Sequence, residues 1–413
     1  MMLQLSTDQS FHYELLRILA ATATQGSDVS EVLQVCNAII PGDFESWYAA
    51  FKTLADQVLK SGQDSPHRAR YDSATLRNMY FRASHYYFAA DFYLHGNEQD
   101  PRIADSYQRW TSLFDQAIAL FPIPGERLNL PADGFKVPIV LLRPGLAATD
   151  TKPRPTIILG NGFDGSMEEM IHVLGLPALD RGYNVVLYEG PGQTGVRRVQ
   201  NLGFIHDWER VVRPILDYLN EQPFVDVRRI SLVGYSLGGY LAARAAAFEP
   251  RLAAVILIDG VWDYESTLKN YFPKTLQAAL EGDAERCNQV FKVEAQKSTS
   301  SRWAYDHFLW SFKKSAYEGH KVAREMKIEG VVDRIKCPVF VGEARDDQFF
   351  QEQPRKVAEA IGEGAYFFSP PRETGATTHC HVGATFYLAQ EVFAWLQGKS
   401  LGETPAAHLA DEI

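Results

Sequence analysis

Two rhythms of apolar residues divide the chain. Through residues 1–125 apolar positions recur at three- and four-residue intervals, as in Leu76, Met79, Tyr80, Ala83, Tyr87, Ala90 and Leu94, the stripe of an amphipathic helix. After Phe121-Pro122-Ile123-Pro124-Gly125 the pattern changes to short, continuous apolar runs separated by helical stretches. The runs predict strands at 137–142, 156–159, 184–188, 230–233, 254–258, 338–341 and 366–368, and the stretches predict helices at 167–181, 207–221, 237–248, 352–361 and 384–396. Buried strands alternating with helices imply an α/β fold, a mostly parallel sheet covered on both faces. Pro214 falls inside the second of these helices, where its missing N–H predicts a kink or an interruption.

About eighty residues separate the runs at 254–258 and 338–341, far more than a crossover requires. Their helical pattern and aromatic residues, among them Trp262, Tyr264, Trp303, Phe308 and Trp310, suggest a cap above the carboxyl edge of the sheet. The expected organisation is an N-terminal helical domain over 1–125, an α/β core over 126–260 and 331–400, a helical cap inserted at 261–330 and a tail at 401–413. The N-terminal part carries a dense aromatic run, Tyr80, Phe81, Tyr86, Tyr87, Phe88, Phe92 and Tyr93, suited to packing on the core or to lining a pocket for a flat ligand.

Composition narrows the function. A formal charge of −10 with no basic run argues against nucleic acid, whose phosphates need a concentrated cationic surface. Cys36, Cys287, Cys337 and Cys380 are scattered without a C-x-x-C pair, which fits a reduced protein and neither a disulfide scaffold nor a zinc site. His12, Glu14 and Arg17 interrupt the apolar residues of the first segment, unlike a signal peptide, and no apolar stretch approaches the roughly 20 residues of a membrane span. A cytoplasmic location is expected. No metal-ligand spacing or dinucleotide fingerprint is present, so no cofactor is expected.

The chemistry is concentrated at Gly234-Tyr235-Ser236-Leu237-Gly238, which follows a β-branched run and precedes an alanine-rich helix. A strand, a sharp turn and a helix lift a serine hydroxyl above the sheet edge, and the Leu237 N–H at the helix start faces a developing oxyanion. Serine is a poor nucleophile until a histidine, held by a carboxylate, takes its proton. The turn after 338–341 offers Asp346 and Asp347, of which Asp346 is the expected acid, and the late loop offers His379 and His381, of which His379 is the expected base. Cys380 is read as packing. The glycine-rich loop Gly160-Asn161-Gly162-Phe163-Asp164-Gly165 should supply the second oxyanion donor, the Phe163 N–H. Glu189-Gly190-Pro191-Gly192-Gln193, at the same edge, reads as a rim segment, and Asp259, Asp263 and Glu265 read as structural acids with a second possible use in positioning a phenol.

Together, Arg82-Ala83-Ser84-His85-Tyr86-Tyr87, Gly162-Phe163-Asp164, Glu189 to Gln193, Gly234 to Gly239 and Gly375-Ala376 through His379-Cys380 resemble the FrsA-like α/β-hydrolases. The nearest resemblance is to the fungal yellowish-green pigment hydrolases, which shorten aromatic polyketides at a carbon–carbon bond beside a ketone. Glu189 stands where that family usually has aspartate, and Thr194 interrupts its usual Gly-Gln-Gly. The resemblance implies an α/β-hydrolase fold, a Ser236, Asp346 and His379 triad, a small polyketide-like substrate and a homodimer formed through the N-terminal helices. The alternatives are an esterase, thioesterase or acyl-transfer cyclase using the same triad, and a non-catalytic binding protein on a hydrolase fold.

Overall fold

A computed structural model of the protein describes residues 3–145 and 152–400; the tail expected at 401–413 lies outside the described residues. Five helices open the chain, at Gln9–Ala20, Val29–Ala38, Phe44–Asp64, Ser73–Asp91 and Pro101–Ile118. Each begins at an aspartate, Asp8, Asp28, Asp43, Asp72 or Asp100, whose carboxylate accepts a backbone N–H of the first turn. Such a cap stabilises a helix by about 1 kcal/mol. The helices bury Phe11, Trp47, Phe51, Tyr86 and Trp110 in one cluster, whose margin reaches Phe163 and Phe349 beside the site described below. The aromatic run at 80–93 is therefore largely spent inside the chain, with Phe81, Tyr86 and Tyr87 almost fully buried, and offers little surface to a second subunit.

Eight strands form one sheet: β1 (Glu126–Ala132), β2 (Phe135–Leu142), β3 (Arg154–Gly160), β4 (Asn184–Tyr188), β5 (Val225–Tyr235), β6 (Ala254–Ile258), β7 (Val339–Gly342) and β8 (Ala365–Phe368). Their order is β1-β2-β4-β3-β5-β6-β7-β8, with β1, β2 and β4 paired antiparallel and the remainder parallel. β1 was not predicted: it is an edge strand interrupted by Pro131, with only Leu130 buried. It turns into β2 through Asp133-Gly134, where Gly134 adopts φ +84°, a left-handed backbone that favours glycine. Separate clusters cover the two faces of the sheet, and β4 and β6 are buried along their whole length.

The helix expected at 167–181 is instead a wide π-helical turn, Ile171–Gly175, running into the short helix Leu176–Asp180. Pro177 has no N–H to return to the preceding turn, which favours this irregular start. By contrast, Glu209–Asn220 continues through Pro214 as one helix, without the expected interruption. Val211, Val212, Ile215, Leu216 and Leu219 are fully buried along it, and that packing overrides the lost hydrogen bond. Between β6 and β7 the chain forms helices at Tyr264–Tyr271, Pro273–Leu280, Ala284–Glu294, Thr299–Phe312 and Ala316–Glu325.

Candidate active site

β5 ends in a turn that only its glycines permit. A Cβ on Gly234 would lie 1.9 Å from the carbonyl oxygen of Gly238, so any side chain there would force the turn open. Ser236 takes φ +61°, a left-handed conformation uncommon for a residue with a side chain, and its N–H donates to the Ile258 carbonyl at 2.8 Å. The next strands and the helix Gly238–Phe248 hold this strained residue with its Oγ at the sheet edge.

Ser236 Oγ lies 2.9 Å from His379 Nε2, and His379 Nδ1 lies 3.0 Å from Asp347 Oδ2. The structure corrects the expected acid. Asp346 N–H donates to the Thr377 carbonyl, while its side chain, 39% exposed, turns outward to Arg372. The Asp347 side chain, 2% exposed, turns inward to the histidine. His381 is also buried but sits behind the site, its Nδ1 on the Ala376 carbonyl at 2.7 Å. Cys380 stays a thiol, because burial pushes its ionisation far up, and its backbone N–H donates to Asp259.

Asp259 is the residue the sequence reading undervalued. It directly follows β6, beside the strand that carries Ser236, and its Oδ2 lies 2.7 Å from His379 Nδ1 in full burial. The placement of an acid at the end of a strand adjoining β5 was the available signal. Burial opposes charge on His379, but Asp347 and Asp259 outweigh it and hold the imidazole pKa well above the usual range. Burial pushes Asp347 up against the pull of His379, whereas His379 overcomes burial at Asp259 and draws it down. Asp259, His379 and Cys380 form the one group of three possible metal ligands among the described residues. Both His379 nitrogens are already engaged and the Cys380 sulfur keeps its proton, so the set suits a proton relay. Asp263 instead caps Tyr264–Tyr271, and Glu265 pairs with Arg324.

The glycine-rich loop packs on the turn as an oxyanion site requires. A Cβ on Gly162 would lie 2.8 Å from Leu237 N and 2.9 Å from the Ser236 Cβ, so only glycine allows the loop this close. Among the described residues, neither the Phe163 nor the Leu237 N–H donates a backbone hydrogen bond, and both remain available to a ligand. The two peptide groups around Phe163 are braced. Gln193 Nε2 donates to the Gly162 carbonyl at 3.1 Å and the Asn161 carbonyl at 2.8 Å, and His307 Nε2 lies 2.9 Å from the Phe163 carbonyl.

The protons on that second brace follow from its partners. The Phe163 carbonyl can only accept, so His307 Nε2 carries hydrogen; its Nδ1 then accepts from His95 Nδ1 at 2.9 Å, and His95 Nε2 lies 3.0 Å from both Asp91 Oδ2 and Arg198 Nη2. Burial lowers the pKa of both rings, that of His307 to about 3, while Asp91 opposes the shift at His95. Glu189 bridges two segments, accepting from Met167 N at 2.8 Å and Gly195 N at 2.5 Å.

Ser236 and His379 open onto a cavity walled by Phe163, Tyr264, Tyr271, Phe272, Trp303 and Phe349. Within it a serine can form a covalent acyl intermediate, with the oxyanion held between two backbone donors.

Residues 157–382 match the alpha/beta hydrolase family. Over 94% of its length the chain is 30% identical to hydrolase acrC of Aspergillus aculeatus, of which 95% is covered. It is 29% identical to 20-hydroxy-prefusarin hydrolase FUS2 of Gibberella moniliformis, covering 94% of this chain and 95% of that one. The fold matches the crystal structure of 2,6-dihydroxy-pseudo-oxynicotine hydrolase with a TM-score of 0.71 at 20% identity, over 94% of this chain and 97% of that one. Among the described residues no helix is long and apolar enough to cross a membrane.

Proposed function

The chain belongs to the alpha/beta hydrolase family, and we propose that within it the protein is a serine hydrolase of secondary metabolism that cleaves a carbon–carbon bond beside a ketone in a polyketide-like substrate. The hydrogen-bonded line Ser236, His379, Asp347, opening into an aromatic-walled cavity, carries this reading. Ser236 Oγ attacks the ketone carbon as His379 Nε2 takes its proton, and the Phe163 and Leu237 N–H groups hold the oxyanion. Collapse breaks the bond to the α-carbon, whose electron pair is delocalised into the neighbouring carbonyl as an enolate; the His379 proton then goes to that carbon. Water, deprotonated by His379, releases the acyl group as a carboxylic acid. The name 20-hydroxy-prefusarin hydrolase supports a natural-product substrate.

Product analysis in ¹⁸O-labelled water, with aryl esters and 1,3-diketones as substrates, tests this. The reading requires diketones to yield a carboxylic acid carrying ¹⁸O and a methyl ketone. Turnover of esters alone would contradict carbon–carbon hydrolysis and leave an esterase or acyl-transfer enzyme.

A further inference from the structure

One corner interrupts the aromatic wall of the cavity. There the helix Gln9–Ala20 brings Glu14 and Arg17 beside Asp164 of the oxyanion loop, and all three line the same cavity as Ser236 and His379. Arg17 is saturated. Its Nε and Nη2 pair with the two oxygens of Glu169 at 2.5 and 2.6 Å, and its Nη1 meets Asp164 at 3.0 Å and Glu14 at 3.2 Å.

Three carboxylates therefore share one guanidinium in a largely buried place, where only Asp164 keeps appreciable exposure. If all were ionised, the corner would carry two uncompensated negative charges, which burial penalises steeply. One proton relieves this most simply on Glu14: Glu169 holds the bidentate pair, Asp164 has the shorter single contact, and Glu14 has the longest. Burial pushes the Glu14 carboxyl up to about 8, Arg17 pulling against it and Asp164 and Glu169 adding to it. The other titratable groups facing it, Tyr13 and Tyr93, are kept as phenols by burial. The cavity thus presents, at neutral pH, a neutral carboxylic acid in addition to the backbone donors of the oxyanion site.

Carbon–carbon hydrolysis needs two such places. The first oxyanion forms on the attacked ketone, and a second negative charge appears on the neighbouring oxygen when the bond breaks. We propose that Glu14, in its protonated form, donates a hydrogen bond to that second oxygen, the enolate of a β-dicarbonyl substrate; this rests on the carbon–carbon hydrolase reading above. Glu14 keeps its proton throughout. The Ser236 proton passes through His379 to the departing α-carbon, the broken bond's electron pair having moved into the enolate, so that one substrate and one water give one carboxylic acid and one ketone. An ester needs no such donor, because its leaving oxygen already carries the charge.

Glu14→Leu and Glu14→Gln separate the possibilities, assayed with a 1-aryl-1,3-diketone and a p-nitrophenyl ester, with fluorophosphonate labelling reporting an intact site. Losing one donor to a developing oxyanion costs about 10²–10³ in kcat. Glu14→Leu should lose that much on the diketone, a far larger factor than it loses on the ester. Glu14→Gln still offers a neutral N–H, so it should keep most diketone turnover and lose the decline expected of the wild type above about pH 8. If Glu14→Leu fails to label, the Gln variant and its pH profile decide alone. A Gln variant as inactive on the diketone as the Leu variant would overturn the role by pointing to a carboxylate, and two unaffected variants would overturn it outright. A wild type active on esters but on no diketone would instead overturn the underlying reading, and Glu14's role with it.

Discussion

His379 lies against two carboxylates, and that arrangement controls its protonation. Since Asp347 and Asp259 outweigh burial, the ring stays charged well above an ordinary pKa of 6.5. A base must be neutral, so kcat/KM for an aryl ester should rise with pH through the raised value, its acid limb lying above 6.5. Asp259→Asn removes one of the two charges and should move that limb to lower pH; a limb that does not move contradicts the account. Asp347→Asn should cost about 10³–10⁴ in kcat, the scale seen when the orienting acid of a serine triad is neutralised, whereas Asp346→Asn should leave kinetics near wild type. The reverse ranking, measured by steady-state kinetics, would restore Asp346. Ser236 and His379 were legible in the sequence because a short turn motif and a late loop fix their places. The choice between adjacent aspartates was not, because it depends on a bond from Asp346 N–H to the distant Thr377 carbonyl. Asp259 needed the strand order, which periodicity does not supply.

At the scale of elements, the oxyanion loop is held from behind by parts of three segments far apart in sequence. Gln193 braces one peptide of Phe163, and His307 on the cap helix Thr299–Phe312 braces the other, backed by His95 and Arg198. His307→Phe removes the donor while filling a similar space, leaving the Phe163 carbonyl unsatisfied. It should lower kcat by more than it changes KM, by up to the roughly 10²–10³ that loss of an oxyanion donor costs. Unchanged kcat in a folded variant would show that the loop holds its shape without the cap. The parallel strands were readable because each is a short apolar run buried on both faces. The edge strand β1 was hidden by Pro131 and its exposed positions, and the segment at 167–181 by Pro177, where local helical rhythm and backbone hydrogen bonding disagree.

In the molecule as a whole, the first of the N-terminal helices lines the cavity onto which Ser236 and His379 open. The helix Gln9–Ala20 buries Phe11 against Trp47 and Tyr93 on one side and lines the cavity with Tyr13, Glu14 and Arg17 on the other. Phe11→Ala should therefore destabilise the protein by about 3–5 kcal/mol and depress turnover of large substrates, read by chemical denaturation beside kinetics; stability lost with turnover intact would mean that the helix is only a buttress. The sequence showed these helices as amphipathic, but not that one of them contributes a polar corner to the pocket, since periodicity reports faces and not what each face meets. All of this depends on Ser236 being the nucleophile, and intact-mass spectrometry of wild type and Ser236→Ala after exposure to a fluorophosphonate tests it most directly. One adduct on the wild type, none on the variant and loss of turnover in the variant are the expected results. A wild type that takes no adduct, together with a Ser236→Ala variant that turns over as before, would contradict the account.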